Sequence, residues 1–197
     1  MTKTVLYYHS LISPYTYLAQ PRIIELGKRE DVNIIYKPFD IGTIFGEIGT
    51  KPPGQRHASL QAYRLLELER WSKELGLPMN LQPKHFPAPS NLASAMLIEA
   101  QDQGLDVAPF AMAVLKAVWV DEQNIADEGT LIKIADDLAC DGKALAEAAS
   151  TEAAQEKFTV SSQEAIEAGV FGSPSLVIDG EIFWGQDRIE LATKRLG

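Results

Sequence analysis

The stretch "KTVLYYHSLISPYTYLA", residues 3–19, changes character at Ser13–Pro14. Its first half is rich in β-branched and aromatic side chains, which favour a strand. Serine followed by proline is a common helix opening, because the serine side chain caps the first turn and proline fits its first position. The stretch therefore predicts a strand followed by a helix from Pro14 to about Lys28.

A second β-rich run, "VNIIYKPF" at residues 32–39, follows this helix. Two strands joined through a helix are expected to be parallel, with a right-handed crossover. Near the end of the chain, "PSLVIDGEIFWG" at residues 174–185 has two short apolar runs around Asp179–Gly180, which predicts a tight hairpin. "QDRIELATKRLG" then reads as a C-terminal helix. The simplest assembly places all four strands in one sheet.

The middle of the chain, from about residue 55 to 168, shows no strand pattern. Residues 58–76 place Leu60, Leu68, Trp71 and Leu75 on one helical face, which predicts a long amphipathic helix. Start and stop signals predict four more helical segments. These are residues 90–104, 106–123, 127–142 and 150–169. The sequence thus predicts an α/β protein with a large all-helical insertion.

The composition limits the partners and the kind of site. A net charge of −9 and a sequence pI of about 4.8 argue against nucleic acid as a partner. The N-terminus lacks a signal-peptide pattern, and no apolar run approaches the roughly 18 residues of a membrane helix, so we expect a cytoplasmic protein without a membrane partner. The single cysteine, Cys140, is expected to be a buried small hydrophobe, and the scattered histidines predict no metal site.

Ser13–Pro14 has a structural and a functional interpretation. It is either an ordinary helix cap or a site where the positive end of the helix stabilises an anion. A thiolate held there by the Ser13 hydroxyl would have a lowered pKa.

Two motifs near the end of the chain have similar alternatives. Ser173–Pro174 is either an ordinary trans proline or a cis bond that turns the Ser173 backbone outward, able to pair with an extended peptide. Asp187, after Gly185 and Gln186, either complements the dipole of the last helix or pairs the ammonium of an α-amino-acid head group.

The order of these features resembles the thioredoxin fold of the disulfide-oxidoreductase A type. There a C-x-x-C motif opens the first helix, whereas "SPYT" at residues 13–16 fills the place here and excludes thiol–disulfide exchange. More specifically, the chain resembles the kappa-class glutathione transferases and the related 2-hydroxychromene-2-carboxylate isomerases. The matching stretches are "SPYTYLA" (13–19), "TKPP" (50–53), "LERWSKELGLPMN" (68–80), "GVFGSPSLVIDGE" (169–181) and "FWGQDRIE" (183–190).

The resemblance covers essentially the whole chain and implies a division into parts. Residues 1–45 and 161–197 would form a thioredoxin-like domain, and residues 46–160 a helical insertion domain.

The resemblance also implies roles for individual residues, with glutathione as the cofactor. Ser13 matches the catalytic serine that stabilises the glutathione thiolate. Ser173 matches the residue whose backbone binds the cysteinyl part, and Gln186 and Asp187 match the pair that holds the γ-glutamyl head. Thr50 stands where the family often has asparagine. The implied glutathione-binding residues are Ser13, Pro14, Tyr15, Thr50, Ser173, Pro174, Gln186, Asp187 and Arg188.

The sequence departs from the family pattern at two places. A family lysine just before Ala62–Tyr63 is absent, and Arg56 and Arg64 are candidates to replace its charge. The isomerases also tend to have an acidic residue near Ser10, where this chain reads "YYHS". A pocket for a hydrophobic, aromatic substrate is expected between the thioredoxin-like part and the helical insertion. Its candidate lining residues, each also a core candidate, are Phe45, Trp71, Phe86 and Trp119.

The leading functional hypothesis is a glutathione-dependent isomerase that acts on a conjugated aromatic substrate. One alternative is a kappa-type transferase that conjugates glutathione to electrophiles. The other is a redox-inactive, thioredoxin-like protein that binds a peptide without chemistry. The family also implies a homodimer.

Overall fold

The four predicted strands form one sheet in the computed structural model, which describes residues 2–197. Within this range the strand order is β2-β1-β3-β4. β1 pairs parallel with β2 and antiparallel with β3, and β3 pairs antiparallel with β4. The strands are β1 (Lys3–His9), β2 (Val32–Pro38), β3 (Ser175–Ile178) and β4 (Glu181–Trp184). The single sheet and the parallel strand–helix–strand unit are confirmed.

The first helix and the hairpin follow from local sequence. Helix α1 (Pro14–Gly27) begins directly after Ser13, whose Oγ accepts a hydrogen bond from the Thr16 N–H at 3.3 Å. The hairpin turn places Asp179 at φ 51° and Gly180 at φ 81°, the left-handed region that a two-residue turn requires. Both predictions are confirmed.

Helices occupy the chain between β2 and β3, and no strand lies there among the described residues. In chain order, the α-helices of residues 2–197 after α1 are α2 (Ile41–Glu47), α3 (Ala58–Glu74), α4 (Asn91–Asp102), α5 (Ala108–Trp119), α6 (Glu128–Asp137), α7 (Gly142–Ala149), α8 (Glu152–Glu167) and α9 (Ile189–Leu196). The five predicted middle helices are confirmed as α3, α4, α5, α6 and α8. The domain boundaries at residues 45 and 160 stay predictions.

Two short helices were not predicted, and the last helix begins later than expected. Helices α2 and α7 are held by aspartate caps, since Asp40 accepts from Gly42 and Thr43 N–H groups and Asp141 accepts from the Ala144 N–H. Helix α2 has two glycines among its seven residues, and because glycine has a low helix propensity the sequence does not predict this helix. Residues Gln186–Arg188 form a 3₁₀ turn, so the predicted C-terminal helix starts only at Ile189.

The sheet has an apolar core on each face, because successive side chains of a strand point to opposite sides. Val5 and Tyr7 of β1 belong to the larger core, which includes residues of α1, α4 and α5. Tyr8 belongs to a smaller core with Phe39 and Val177. Within residues 2–197, no helix combines the length and apolar character needed to cross a membrane.

Two burial predictions were wrong in part. Leu68 is the buried residue of α3, whereas Leu60, predicted on the same face, is 56% exposed. Helix α3 contacts the rest of the molecule mainly through α1, so its first turns extend beyond the core. Cys140 is half-buried rather than buried, because it follows the end of α6 and only packs against the edge of the larger core.

Candidate functional site

The N-terminus of α1 meets the loop before β3, although the two segments are 160 residues apart in the chain. The Ser13 Oγ lies 3.4 Å from the Ser173 carbonyl oxygen, the acceptor toward which it points its proton. The same Oγ accepts from the Thr16 N–H, so Ser13 is a helix cap whose single hydroxyl proton points to the Ser173 carbonyl. Because α1 begins here, the partial positive charge of its N-terminus lies at this point.

Ser173 is fastened to the segment that leads into α1. Its Oγ accepts a hydrogen bond from the Ser10 N–H at 2.8 Å and forms another, 2.7 Å long, with the Thr16 hydroxyl. The Ser173–Pro174 peptide bond is cis, as the functional interpretation of this motif expects. No hydrogen bond from the Ser173 N–H to any of residues 2–197 is found. The backbone of Ser173 therefore has a donor free beside the Ser13 hydroxyl.

The third predicted motif joins the same loop. The Gly185 N–H donates to the Pro174 carbonyl at 2.9 Å, which places the 3₁₀ turn next to the cis peptide. Asp187 and Arg188 are exposed and form an ion pair with each other. Gln186, by contrast, is only 2% exposed, and its side-chain oxygen accepts a hydrogen bond from Arg22 of α1. The Gln186 amide oxygen is thus engaged inside the protein.

Residues at the start of α3 and its approach lie beside Tyr15. Burial raises the pKa of Tyr15, and the positive charge of Arg64 opposes that rise. The Arg64 guanidinium carbon lies 5.7 Å from the centre of the Phe86 ring, and that of Arg56 lies 5.5 Å from the Phe45 ring. The side chains next to Tyr15 therefore include two aromatic rings, each with a guanidinium group over it.

His9 and Ser10 are buried at the end of β1, just before this site. The His9 Nδ1 donates to the Tyr7 carbonyl at 3.0 Å, and its ring stacks on the Tyr7 ring at 4.6 Å. Burial lowers the pKa of His9 to about 4. The ring is therefore neutral at physiological pH and, unlike the acidic residue expected at this place, contributes no charge to the site.

The structure brings together part of the predicted set. Ser13, Ser173 and Pro174 lie in contact through the bonds described, and Gly185 connects Gln186 and Asp187 to them. Thr50 is half-buried in the α2–α3 connection, where its N–H donates to the Phe45 carbonyl at 3.0 Å. Whether these residues bind glutathione stays a prediction.

One candidate for the substrate pocket is a core residue instead. Trp119 is 0% exposed, so none of its ring can line an open pocket, and it packs against Phe86 at 4.8 Å. Phe45, Trp71 and Phe86 are half-buried and present part of their rings to solvent. Trp119 does not line a pocket because it lies on the buried face of α5.

Three residues that hold the site together were not predicted. Thr16 and Ser10 anchor Ser173, and Arg22 fixes Gln186. Thr16 is the last residue of "SPYT" and takes the place of the second cysteine of the C-x-x-C motif, which is the one sequence feature that points to it. The other two contacts join segments more than 160 residues apart and left no local signal.

Two surface cavities lie elsewhere. One, of about 300 Å³, opens between β2, α4 and α8, and another, of about 220 Å³, lies between α2 and the end of α8. Neither is lined by Ser13 or Ser173.

The comparisons with known proteins agree with this architecture. Residues 4–197 match the family model described as a DSBA-like thioredoxin domain. A 2-hydroxychromene-2-carboxylate isomerase from Sphingobium xenophagum is 31% identical over 191 residues, which are 96% of each chain. One from Pseudomonas putida is 28% identical over 97% of this chain and 93% of its own. A solved 2-hydroxychromene-2-carboxylate isomerase superimposes with a TM-score of 0.85, at 26% identity, over 98% of this chain and 94% of its own.

Proposed function

Because the chain belongs to the DSBA-like thioredoxin family, and its relatives include 2-hydroxychromene-2-carboxylate isomerases, we propose that it is a glutathione-dependent isomerase of a conjugated aromatic compound. The names of the relatives support an isomerase activity. Glutathione as the cofactor and Ser13 as the catalytic residue are the finer parts of the proposal.

One observation carries the proposal: a serine hydroxyl stands where a redox enzyme of this fold needs a cysteine. Ser13 caps α1 and faces the Ser173 carbonyl, and the single cysteine of the chain, Cys140, lies between α6 and α7. A site built to stabilise a thiolate, but without its own thiol, fits a thiol that arrives with a small molecule.

The residues present suit the parts of glutathione. The Ser13 hydroxyl can donate to a sulfur atom in place of its long, 3.4 Å contact with the Ser173 carbonyl, and the free Ser173 N–H can pair the cysteinyl backbone. The exposed Asp187 carboxylate can pair the ammonium of the γ-glutamyl head, at the cost of its present pair with Arg188. Gln186 would have to act through its backbone or release Arg22.

The chemistry that glutathione supplies when bound is reversible addition of its thiolate to a conjugated carbonyl compound, which permits bond rotation or ring opening before elimination. Ser13 lowers the pKa of the thiol by donating a hydrogen bond to the charged form, and the α1 N-terminus adds its partial positive charge. The Ser173 N–H orients the sulfur by binding the backbone of the cysteinyl residue that carries it. Because the thiolate leaves again, the protein consumes no glutathione.

Replacing Ser13 with alanine tests this role. A hydrogen bond to a charged group contributes about 1.5–3 kcal/mol, so S13A should lower glutathione-dependent turnover roughly ten- to hundred-fold. The bound thiol, followed by the ultraviolet absorbance of its thiolate, should also titrate at a higher pH. Glutathione affinity, measured by calorimetry with the thiol protonated, should change little.

Thr151→Ala is the matched control. Thr151 caps α8 by accepting from the Ala154 N–H at 3.3 Å, the same length as the Ser13 cap, and its hydroxyl donates to the Ala148 carbonyl rather than to any residue of the candidate site. T151A should lose similar stability and keep full turnover. Intact turnover in S13A would refute the assignment, and net consumption of glutathione would identify the transferase alternative.

A further inference from the structure

Arg64 differs from Arg70, the other arginine of α3, in having no polar partner. No ion pair or hydrogen bond of its guanidinium is found within residues 2–197, although the side chain is half-buried. Glu67, one turn away on the same helix, pairs instead with the exposed Arg70 at 2.7 Å. A guanidinium without an acceptor in a partly buried place is less favourable than one in open water, because it has lost part of its hydration and gained no hydrogen bond.

The surroundings of Arg64 increase this cost. Burial lowers the pKa of Arg64, Tyr15 opposes that effect, and the nearby positive charge of Arg56 adds to it. Two cations therefore converge beside Tyr15 with no carboxylate bound to Arg64. An anion placed between them would relieve the repulsion and supply the missing acceptors.

An aromatic surface lies next to this charge. Phe86 packs at 4.8 Å on the fully buried Trp119, which holds the ring in place, and Arg64 lies over it at 5.7 Å. Tyr15, directly after the Ser13–Pro14 opening of α1, connects the pair to the proposed thiolate site. A ligand that contacts Arg64, Phe86 and Tyr15 together needs a flat apolar part and an acidic group.

From this geometry we infer that Arg64 binds the carboxylate of the second substrate, while the aromatic part of that substrate lies against Phe86. Arg64 is thus a specificity-determining residue, and this role rests on the proposed function for its place in a reaction. Arg56 is the weaker candidate, because its Nε already donates to the Lys51 carbonyl at 2.8 Å. It supports Arg64 as a neighbouring cation.

Binding of an unreactive aromatic acid tests the inference without requiring turnover. Calorimetry compares trans-cinnamate with its uncharged amide, cinnamamide, on the wild type and on R64Q. The wild type should prefer the acid, and R64Q should bind the acid roughly ten- to hundred-fold more weakly while its affinity for the amide is unchanged. R64K should recover only part of the affinity, since lysine keeps the charge but loses the planar pair of donors.

Arg70→Gln is the control for loss of a guanidinium on α3, and should bind cinnamate as the wild type does. A wild type that binds the two probes equally, or an R64Q that binds cinnamate normally, overturns the inference. Equal weakening of acid and amide in R64Q does so too, because it marks a structural role.

Glutathione titration and turnover separate this inference from the proposed function. If glutathione does not bind and cinnamate still depends on Arg64, the anion site stands and the proposed function fails. If glutathione-dependent turnover is present, R64Q should raise the KM for an aromatic acid substrate at least ten-fold with a smaller change in kcat. Unchanged KM overturns the role of Arg64 and leaves the proposed function intact.

Discussion

Ser13 shows how an ordinary local feature acquires a second role from its tertiary neighbour. Its side chain caps α1, as serine before proline predicts. The approach of the Ser173 carbonyl to within 3.4 Å of the same oxygen adds a contact that no local pattern indicates. One hydroxyl therefore both ends the helix and faces the cis-proline loop.

Gly172, directly before Ser173, is a residue whose lack of a side chain positions this loop. A Cβ built on Gly172 would lie 2.3 Å from the Trp184 Nε1, so the indole rests directly on the backbone. Gly172→Ala should displace Trp184 from its neighbour Phe171, 4.8 Å away, and cost about 1 kcal/mol, the low end for overpacking, because the indole is half-exposed and can shift. Denaturant unfolding and tryptophan fluorescence measure both effects.

Gly46→Ala is the control for this substitution. Gly46 lies inside α2 with nothing within 4 Å of a built Cβ, so alanine should leave stability unchanged or raise it by up to about 1 kcal/mol. If G172A matched G46A in both readouts, the close contact with Trp184 would not constrain the loop.

At the scale of elements, helix α4 protects the exposed edge of the sheet. β2 is an edge strand, and Gln101 of α4 pairs both polar groups of Tyr36 on that edge. The amide oxygen of Gln101 accepts from the Tyr36 N–H at 2.8 Å, and its NH₂ donates to the Tyr36 carbonyl at 3.1 Å. A side chain here replaces the neighbouring strand, which removes a template for association.

Gln101→Ala should expose this edge. Loss of two hydrogen bonds at a partly buried position should cost about 1–2 kcal/mol, and the Tyr36 amide should exchange its hydrogen faster. Denaturant unfolding and hydrogen exchange at Tyr36 measure these changes. The exposed Gln103 at the end of the same helix is the control, and equal exchange at Tyr36 in Q101A and Q103A would contradict the capping role.

At the scale of the whole molecule, burial of His9 makes the stability depend on pH. The folded protein binds a proton on His9 only near pH 4, whereas unfolded histidine does so near pH 6.5. Below about pH 6.5 the unfolded state therefore binds more protons, and stability falls as the pH is lowered toward 4. Above that range His9 is neutral in both states and contributes no pH dependence.

His9→Phe should remove this dependence. Between pH 7 and pH 5 the wild type should lose roughly 2 kcal/mol more unfolding free energy than H9F does. Urea unfolding at several pH values measures the difference in slope, independently of any change in absolute stability. Parallel curves for H9F and the wild type would contradict this prediction, because they would show that burial does not lower the pKa of His9.

Three properties of the whole protein stay predictions: the homodimer, the cytoplasmic location and the absence of nucleic acid partners. The acidic net charge of −9 supports the last of these on electrostatic grounds.

The order of the elements is predictable from the sequence alone, since each depends on contacts within a few residues. Ser13 begins α1, Asp179–Gly180 turns the hairpin, and periodic apolar residues mark the long helices. Short elements held by a single cap, such as α2, were missed because propensity is weak over seven residues. The motif resemblance also predicted the fold family correctly.

Which side chains meet depends on the folded molecule and is not indicated by the sequence. Ser173 is joined to Ser10 and Thr16, Gln186 is buried against Arg22, and Arg64 is left beside Phe86 without an acceptor. The exposure of Leu60 and the burial of Trp119 were settled in the same way. The physical reason is that these contacts depend on how helices pack on the sheet, and packing joins residues whose separation along the chain leaves no periodic signal.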